Sequence, residues 1–244
     1  MPNPNPLEAA AIGAGAGLLY WWFRSGSNEQ RVTPKLLLQQ QTVVINNYKQ
    51  CEDAVKILRK HCEENPVLGF DCEWMWGSKG VDLLQLCTHK GYCALIRLCA
   101  MDTLPRSLRD LLIDFHVVKV GVAPLNDAGR LSREFNLTTV STLDLRFVAV
   151  LTGEKPGTLA AMYERVVGGT LKCLDLSANW QANNLTQEQI DYAAGDAKAG
   201  MEIYTTLVQK VSDASVFEQY YDQRYDPHHH DTLKPIATNK CSPQ

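Results

Sequence analysis

Apolar and polar positions change period several times along the chain, and each change marks an element. Val43–Ile45 is a short apolar run and reads as a strand. Over Tyr48–Cys62 the apolar residues Cys51, Ala54, Val55, Leu58 and Cys62 recur at helical spacing, and Pro66 follows as a stop. Val67–Trp74, Val81–Thr88 and Tyr92–Leu98 are dense apolar runs of strand length, the last two joined by the turn His89-Lys90-Gly91. Ser107-Leu108-Arg109-Asp110 has the spacing of a capping box and predicts a helix running to Ile113. A strand over Phe115–Val122, a helix over Asp127–Phe135 and an extended piece over Thr142–Leu145 follow. Helical patterns then continue to about Asp213. Early strands joined by short turns and later strands alternating with helices predict a mixed α/β sheet, with antiparallel early strands and flanking helices.

The two ends differ from this body. Leu7–Phe23 is apolar apart from Glu8, closes on Tyr20-Trp21-Trp22, and is followed by Arg24, Arg31 and Lys35. As a helix it would span about 25 Å, slightly less than a bilayer core. The aromatic cluster and the positive flank predict a signal-anchor with the body of the protein facing the cytosol. Gly13 and Gly17 are spaced to let two such helices pack, which predicts a homodimer. The competing reading is an Ala/Gly-rich leader. The organisation expected is an anchor over 1–24, a linker over 25–41, a folded domain over 42–213, and a polar tail over 214–244 that carries His228-His229-His230.

With 45% hydrophobic residues in 244, the chain can build a sizeable core, which excludes global disorder. A net charge of −3 excludes binding of nucleic acid through bulk positive charge, but leaves room for an acidic metal site with a local basic rim. The eight cysteines include no C-x-x-C pair and mostly sit in apolar runs, as reduced buried thiols do.

That acidic site has a candidate. Asp71-Cys72-Glu73 closes the apolar run Val67–Phe70, and alternation along a strand sends Asp71 and Glu73 to one face and Cys72 to the other. Two adjacent carboxylates repel unless a cation lies between them, and hard divalent ions suit oxygen ligands. Asn126 and Asp127 follow a strand and a Pro-containing turn at the start of a helix, where either residue also fits a capping role. Thr186-x-x-Gln189 is a capping box opening a helix on which Tyr192 and Asp196 stand at i and i+4.

The order D-x-E, an Asp after a later strand, then Y-x-x-x-D on a late helix resembles the 3′-5′ exonuclease superfamily with four acidic residues and a tyrosine. The similarity runs from about Val43 to Val211 through FDCEW, VDLLQLCT, VGVAPLNDAGRL, STLDLRFVA and SANWQANNLTQEQIDYAAGDA. It is strongest to animal exonuclease 3′-5′ domain-containing proteins of the Werner-exonuclease-like branch, one subgroup of which has an amino-terminal anchor in the mitochondrial outer membrane. The resemblance implies an RNase H-like fold and removal of nucleotides from single-stranded DNA or RNA 3′ ends by two Mg²⁺ or Mn²⁺ ions. It implies Asp71, Glu73, Asp127 and Asp196 as metal ligands, with Asp71 between the two ions and Tyr192 holding the attacking water. Position 191, where the other branch has histidine, is Asp191, so the chain is of the tyrosine type. Trp74, beside Met75 and Trp76, is a candidate for stacking on terminal bases, and Gln85, with Lys79, Arg146 and Lys172, for touching phosphate or sugar. Phe147 and Trp180 read as packing residues. The implied location is the mitochondrial outer membrane through residues 7–23, with the nucleus or another endomembrane as alternatives. The alternative function is a membrane-tethered nucleic-acid-binding or scaffold module whose catalysis has decayed.

Overall fold

The structure is a computed structural model that describes residues 41–78, 80–175 and 177–226. Six strands, β1 (Thr42–Ile45), β2 (Val67–Glu73), β3 (Leu83–Cys87), β4 (Cys93–Arg97), β5 (Val118–Gly121) and β6 (Thr142–Asp144), form one sheet in the order β1-β4-β3-β2-β5-β6. β2, β3 and β4 are the expected antiparallel meander, while β1 runs parallel to β4, β5 to β2 and β6 to β5. β2 therefore lies inside the sheet, with hydrogen-bonded neighbours on both edges. Both its faces are covered, which accounts for the near-continuous apolar run Val67–Phe70.

One face of β2 presents Leu68, Phe70 and Cys72 to a core shared with α1 (Tyr48–Cys62) and α2 (Arg106–Leu112). Leu131 of α3 (Pro124–Phe135) joins the same core. α4 (Leu145–Leu151) and α5 (Leu159–Val166) pack with Val67, Val118, Val120 and Leu143. α6 (Gln187–Val208) crosses the second face, its carboxyl half in that cluster and Ala193, Ala194 and Ala197 against Leu83, Cys87 and Leu95. The small residues let helix and sheet approach closely: a Cβ on Gly69 would lie 1.9 Å from the Ala197 carbonyl oxygen.

Local chemistry explains most element ends. The Asn47 side chain caps α1 by accepting from the Gln50 N–H, and Thr186 and Gln189 close the expected capping box on α6. The box expected at Ser107 does not form. α2 starts two residues earlier, after Pro105, without a side-chain cap, and the Ser107 hydroxyl is buried instead. α3 starts at Pro124, three residues earlier than its periodicity suggested, because proline at the first turn gives up an N–H that has no helical partner.

Two departures have packing causes. The segment expected to begin a polar tail folds into a short 3₁₀ helix, Ala214–Tyr220, whose Ala214 and Phe217 are buried in the core. Beyond it the Asp222 carboxylate accepts from the N–H groups of Ser141 and Thr142, and Tyr225 packs on Phe147. Lys119, in the middle of β5, is fully buried, and its Nζ donates to the carbonyls of Asp114, Val117 and Val140 at 2.8, 2.7 and 2.9 Å. Among the described residues no helix is long and apolar enough to cross a membrane. The anchor and packing pair expected within residues 7–23, and the histidine run, lie outside the described residues.

Candidate active site

Asp71 and Glu73 end β2 on the face that α6 covers, and strand alternation buries Cys72 in the opposite core, as the sequence pattern required. α6 brings Tyr192 and Asp196 to the same place on one helical face. One oxygen from each of Asp71, Glu73 and Asp196 lies within 4.8 Å of the others. Asp127, on the first turn of α3, faces Asp71 across a cleft of about 330 Å³ lined also by Trp74, Asn126 and Tyr192. Asp127 is buried and stands outside the tight group of three.

The turn that carries Asp127 is held by its neighbours. Gly121 ends β5 so close to β2 that a Cβ would lie 2.5 Å from the Phe70 carbonyl oxygen. Ala123 then adopts a left-handed conformation (φ 56°) before Pro124. Its N–H donates to Asp144 at 3.1 Å, and Asp144 is gripped by Arg146. Neither Asn126 nor Asp127 caps the helix, so the capping role open to them in the sequence is not the one they fill.

The carboxylates burden one another. Burial raises the Asp71 carboxyl well above its ordinary range, and Asp127, Asp196 and Glu73 add to it in that order. Burial, then Asp196 and Asp127, lifts Glu73 to about 8. Burial lifts Asp127 to about 7 against the pull of its own backbone N–H and Arg130, and Asp196 to about 6 against the hydrogen bond donated by Tyr192. Burial and the same carboxylates hold the Tyr192 hydroxyl protonated. Among the described residues the cleft lining contains no lysine or arginine. This is an acidic pocket that takes up protons up to neutral pH, and a hard cation would displace them.

The expected substrate contacts fare differently. Trp74 lines the cleft, but Arg130 covers one face of its ring at 3.8 Å, leaving at most the other for a base. Trp76 is 85% exposed. Gln85 is not at the surface: it stands opposite Asp71 on β3, wholly buried beneath α6, with neither amide atom bonded to a protein group, so it cannot meet phosphate or sugar. Arg146 is spent on Asp144, and Lys172 pairs with Asp191. Lys79 lies outside the described residues. Trp180 and Phe147 are buried packing residues. Arg130 was not singled out in the sequence. It stands one helical turn after Asp127 and ties the loop after β2 to α3, through the Trp74 ring and a 3.0 Å bond to the Ser78 carbonyl.

Residues 42–212 match the sequence model of a family described as 3′-5′ exonuclease. The chain is 41% identical over 213 residues to exonuclease 3′-5′ domain-containing protein 2 of Drosophila melanogaster, an alignment covering 81% of this chain and 36% of that protein. It is 34% identical over 185 residues to the Homo sapiens protein of the same name, covering 70% and 30%. It is 33% identical over 177 residues to the bifunctional 3′-5′ exonuclease/ATP-dependent helicase WRN of Mus musculus, covering 68% and 13%. The crystal structure of the EXD2 exonuclease domain soaked in Mn is 34% identical, covers 73% of this chain and 95% of that one, and superposes with a TM-score of 0.45. The chain spans about a third of the length of the domain-containing relatives it matches.

Proposed function

The chain belongs to the 3′-5′ exonuclease family, and on that footing we propose that it hydrolyses phosphodiester bonds from the 3′ end of single-stranded DNA or RNA with two Mg²⁺ or Mn²⁺ ions. The observation that carries the reading is the meeting of Asp71, Glu73 and Asp196, from a strand and a helix more than 100 residues apart in the chain, within 4.8 Å and, among the described residues, without a lysine or arginine in the cleft lining.

The donor set fits divalent ions. It is made of hard carboxylate oxygens, and their folded state favours protonation because burial and their mutual repulsion disfavour the charged form. When bound, such ions supply a water of lowered pKa and a sink for charge on the leaving oxygen. Asp71, Glu73 and Asp196 would hold the ions, and Asp127 would add an oxygen from the α3 side. Tyr192 stays protonated at its hydroxyl, so it orients a water by donating a hydrogen bond and does not serve as the base. Trp74, stiffened from behind by Arg130, walls the terminal nucleotide.

The test uses end-labelled single-stranded DNA and RNA of matched sequence with Mg²⁺ or Mn²⁺. Shortening from the 3′ end is expected, and Asp71→Asn should slow it by roughly two orders of magnitude or more. Equal cleavage by the variant, or products shortened from the 5′ end, would refute the assignment. We also propose that residues 7–23 tether the chain to the mitochondrial outer membrane with the exonuclease domain in the cytosol. A fluorescently tagged chain lacking residues 1–24 should lose that location, and an identical distribution of both forms would exclude the tether.

A further inference from the structure

β3 is apolar from Leu83 to Cys87 with one exception, Gln85 at its centre. Gln85 is 0% exposed, and among the described residues neither its Oε1 nor its Nε2 is bonded to a protein group. A buried amide without a partner costs free energy that an apolar side chain of the same volume does not. Packing alone therefore gives no reason for a glutamine at this position.

Its place in the sheet gives one. Gln85 pairs with Asp71 of β2 on one side and with Leu95 of β4 on the other. Residues directly opposite on antiparallel strands share a face, with Cβ atoms about 5 Å apart, so Gln85 stands beside Asp71 on the face that α6 covers. The rest of that neighbourhood is apolar: Leu83 and Cys87 along β3, Leu95 across from it, and Ala193, Ala194 and Ala197 of α6. Among these neighbours only Asp71 carries side-chain oxygens. Asp71 lines the acidic cleft and Gln85 does not, so the amide meets the carboxylate from the side turned away from the cleft. An amide offers two N–H donors, and an ionised carboxylate only accepts.

We propose that Gln85 is a positioning residue for the metal site. Its Nε2 donates to the Asp71 oxygen turned away from the cleft and fixes the orientation in which that carboxylate receives a divalent ion. The terminal amide turns on a soft torsion, so the bond can close as Asp71 takes up the ion. Carboxylates that bind metals are generally held in this way by a second group that touches neither the ion nor the substrate. The proposal rests on the exonuclease reading of the cleft and adds to it a residue buried behind the site. A positioning role and a packing role predict opposite signs: without the amide, the first leaves a more stable protein that binds metal poorly, and the second a less stable protein that binds it as before.

The experiment compares the full-length protein with Gln85→Met, which keeps the volume and removes the amide, and with Leu95→Met, an apolar exchange in the same cross-strand row. Chelator-treated protein is unfolded in urea, and Mn²⁺ binding is followed by titration calorimetry. Gln85→Met should unfold at a urea concentration equal to or above that of wild type. Its Kd for Mn²⁺ should nevertheless rise about tenfold or more, and the stabilisation by a fixed Mn²⁺ concentration should shrink with it. On an end-labelled strand with limiting Mn²⁺, kcat should fall and KM stay unchanged. Gln85→Leu, a second apolar replacement, should give the same pattern, and Leu95→Met should leave Mn²⁺ affinity and kcat at wild-type values. A folded Gln85→Met protein with wild-type Mn²⁺ affinity would overturn the positioning role and leave the exonuclease reading intact. So would equal losses of affinity in Gln85→Met and Leu95→Met, which would mark a packing effect. A wild-type protein that neither binds Mn²⁺ nor shortens the strand would overturn both.

Discussion

A single methyl group placed at Gly69 should separate the two halves of the acidic site. A Cβ there would lie 1.9 Å from the Ala197 carbonyl oxygen, where real Cβ contacts essentially never fall below 3.0 Å, so helix and strand must part by about 1.1 Å. β2 cannot yield, since Gly69 is paired to Cys87 on one side and Val120 on the other. α6 must move, and Asp196, the residue before Ala197, moves with it away from Asp71 and Glu73. Overpacking of this kind costs about 1–3 kcal/mol of stability. A displacement of about 1 Å at a reacting centre costs on the order of a hundredfold in rate. The assay pairs chemical denaturation with kcat/KM on an end-labelled strand and with Mn²⁺ affinity by titration calorimetry, all corrected for folded fraction. Gly200→Ala is the control: one turn along the same helix, its Cβ would meet the Val120 carbonyl at 3.3 Å, close enough to need only a few tenths of an ångström of relief. Gly69→Ala is expected to lose both Mn²⁺ affinity and rate, and Gly200→Ala neither. A folded Gly69→Ala protein with Mn²⁺ affinity and kcat/KM within twofold of wild type would refute the argument that this glycine sets the position of Asp196.

Three further outcomes follow from the same contacts. The folded-state pKa values of Glu73, Asp127 and Asp196, about 8, 7 and 6, lie above their unfolded values, so the stability they lend is full below pH 4 and is lost as pH rises through 6 to 8. Urea unfolding of metal-free protein should show a loss on the order of 1 kcal/mol or more between pH 6.5 and 8.5, reversed by Mn²⁺ and reduced in Glu73→Gln; a flat or rising profile would contradict it. Gly195→Ala should stabilise the protein by up to about 1 kcal/mol, since a Cβ there meets nothing nearer than Leu171 at 3.9 Å and helical glycine is unfavourable; a lowered melting temperature would count against it. Lys119→Met should cost about 3 kcal/mol by leaving buried carbonyls of Asp114, Val117 and Val140 without a donor, with kcat of the folded fraction unchanged; unaltered unfolding would show that those bonds contribute nothing net.

What was legible in the sequence was what short-range patterning encodes. The helical spacing over Tyr48–Cys62 and the Thr186/Gln189 box are local signals, and both elements form where the spacing placed them. The shared face of Asp71 and Glu73 follows from strand alternation alone. The failures are of two kinds. The Ser107 box lost to Pro105, which starts α2 earlier, so a side-chain cap yielded to a backbone constraint. Gln85 was a candidate for touching phosphate or sugar, whereas β3 is covered by α6, a fact set by an element about 100 residues away. Asp127 shows the same limit from the other side. Nothing within its own segment separates a helix cap from a site residue; the close approach of Gly121 to Phe70 and the hold of Asp144 on the Ala123 N–H, both contacts with distant strands, set the turn that carries it.

That dependence on distant contacts explains why the site is costly to build. α6 docks closely on β2 only because Gly69 lacks a side chain and Ala193, Ala194 and Ala197 are small. The same approach forces Asp196 against Asp71 and Glu73, raising the proton affinity of all three. Apolar packing thus holds together carboxylates that would otherwise push the helix away. Such a site should be most strained when it holds neither protons nor cations. A divalent ion bound there would then act on stability as well as chemistry, by offsetting the repulsion that the helix–sheet contact overcomes.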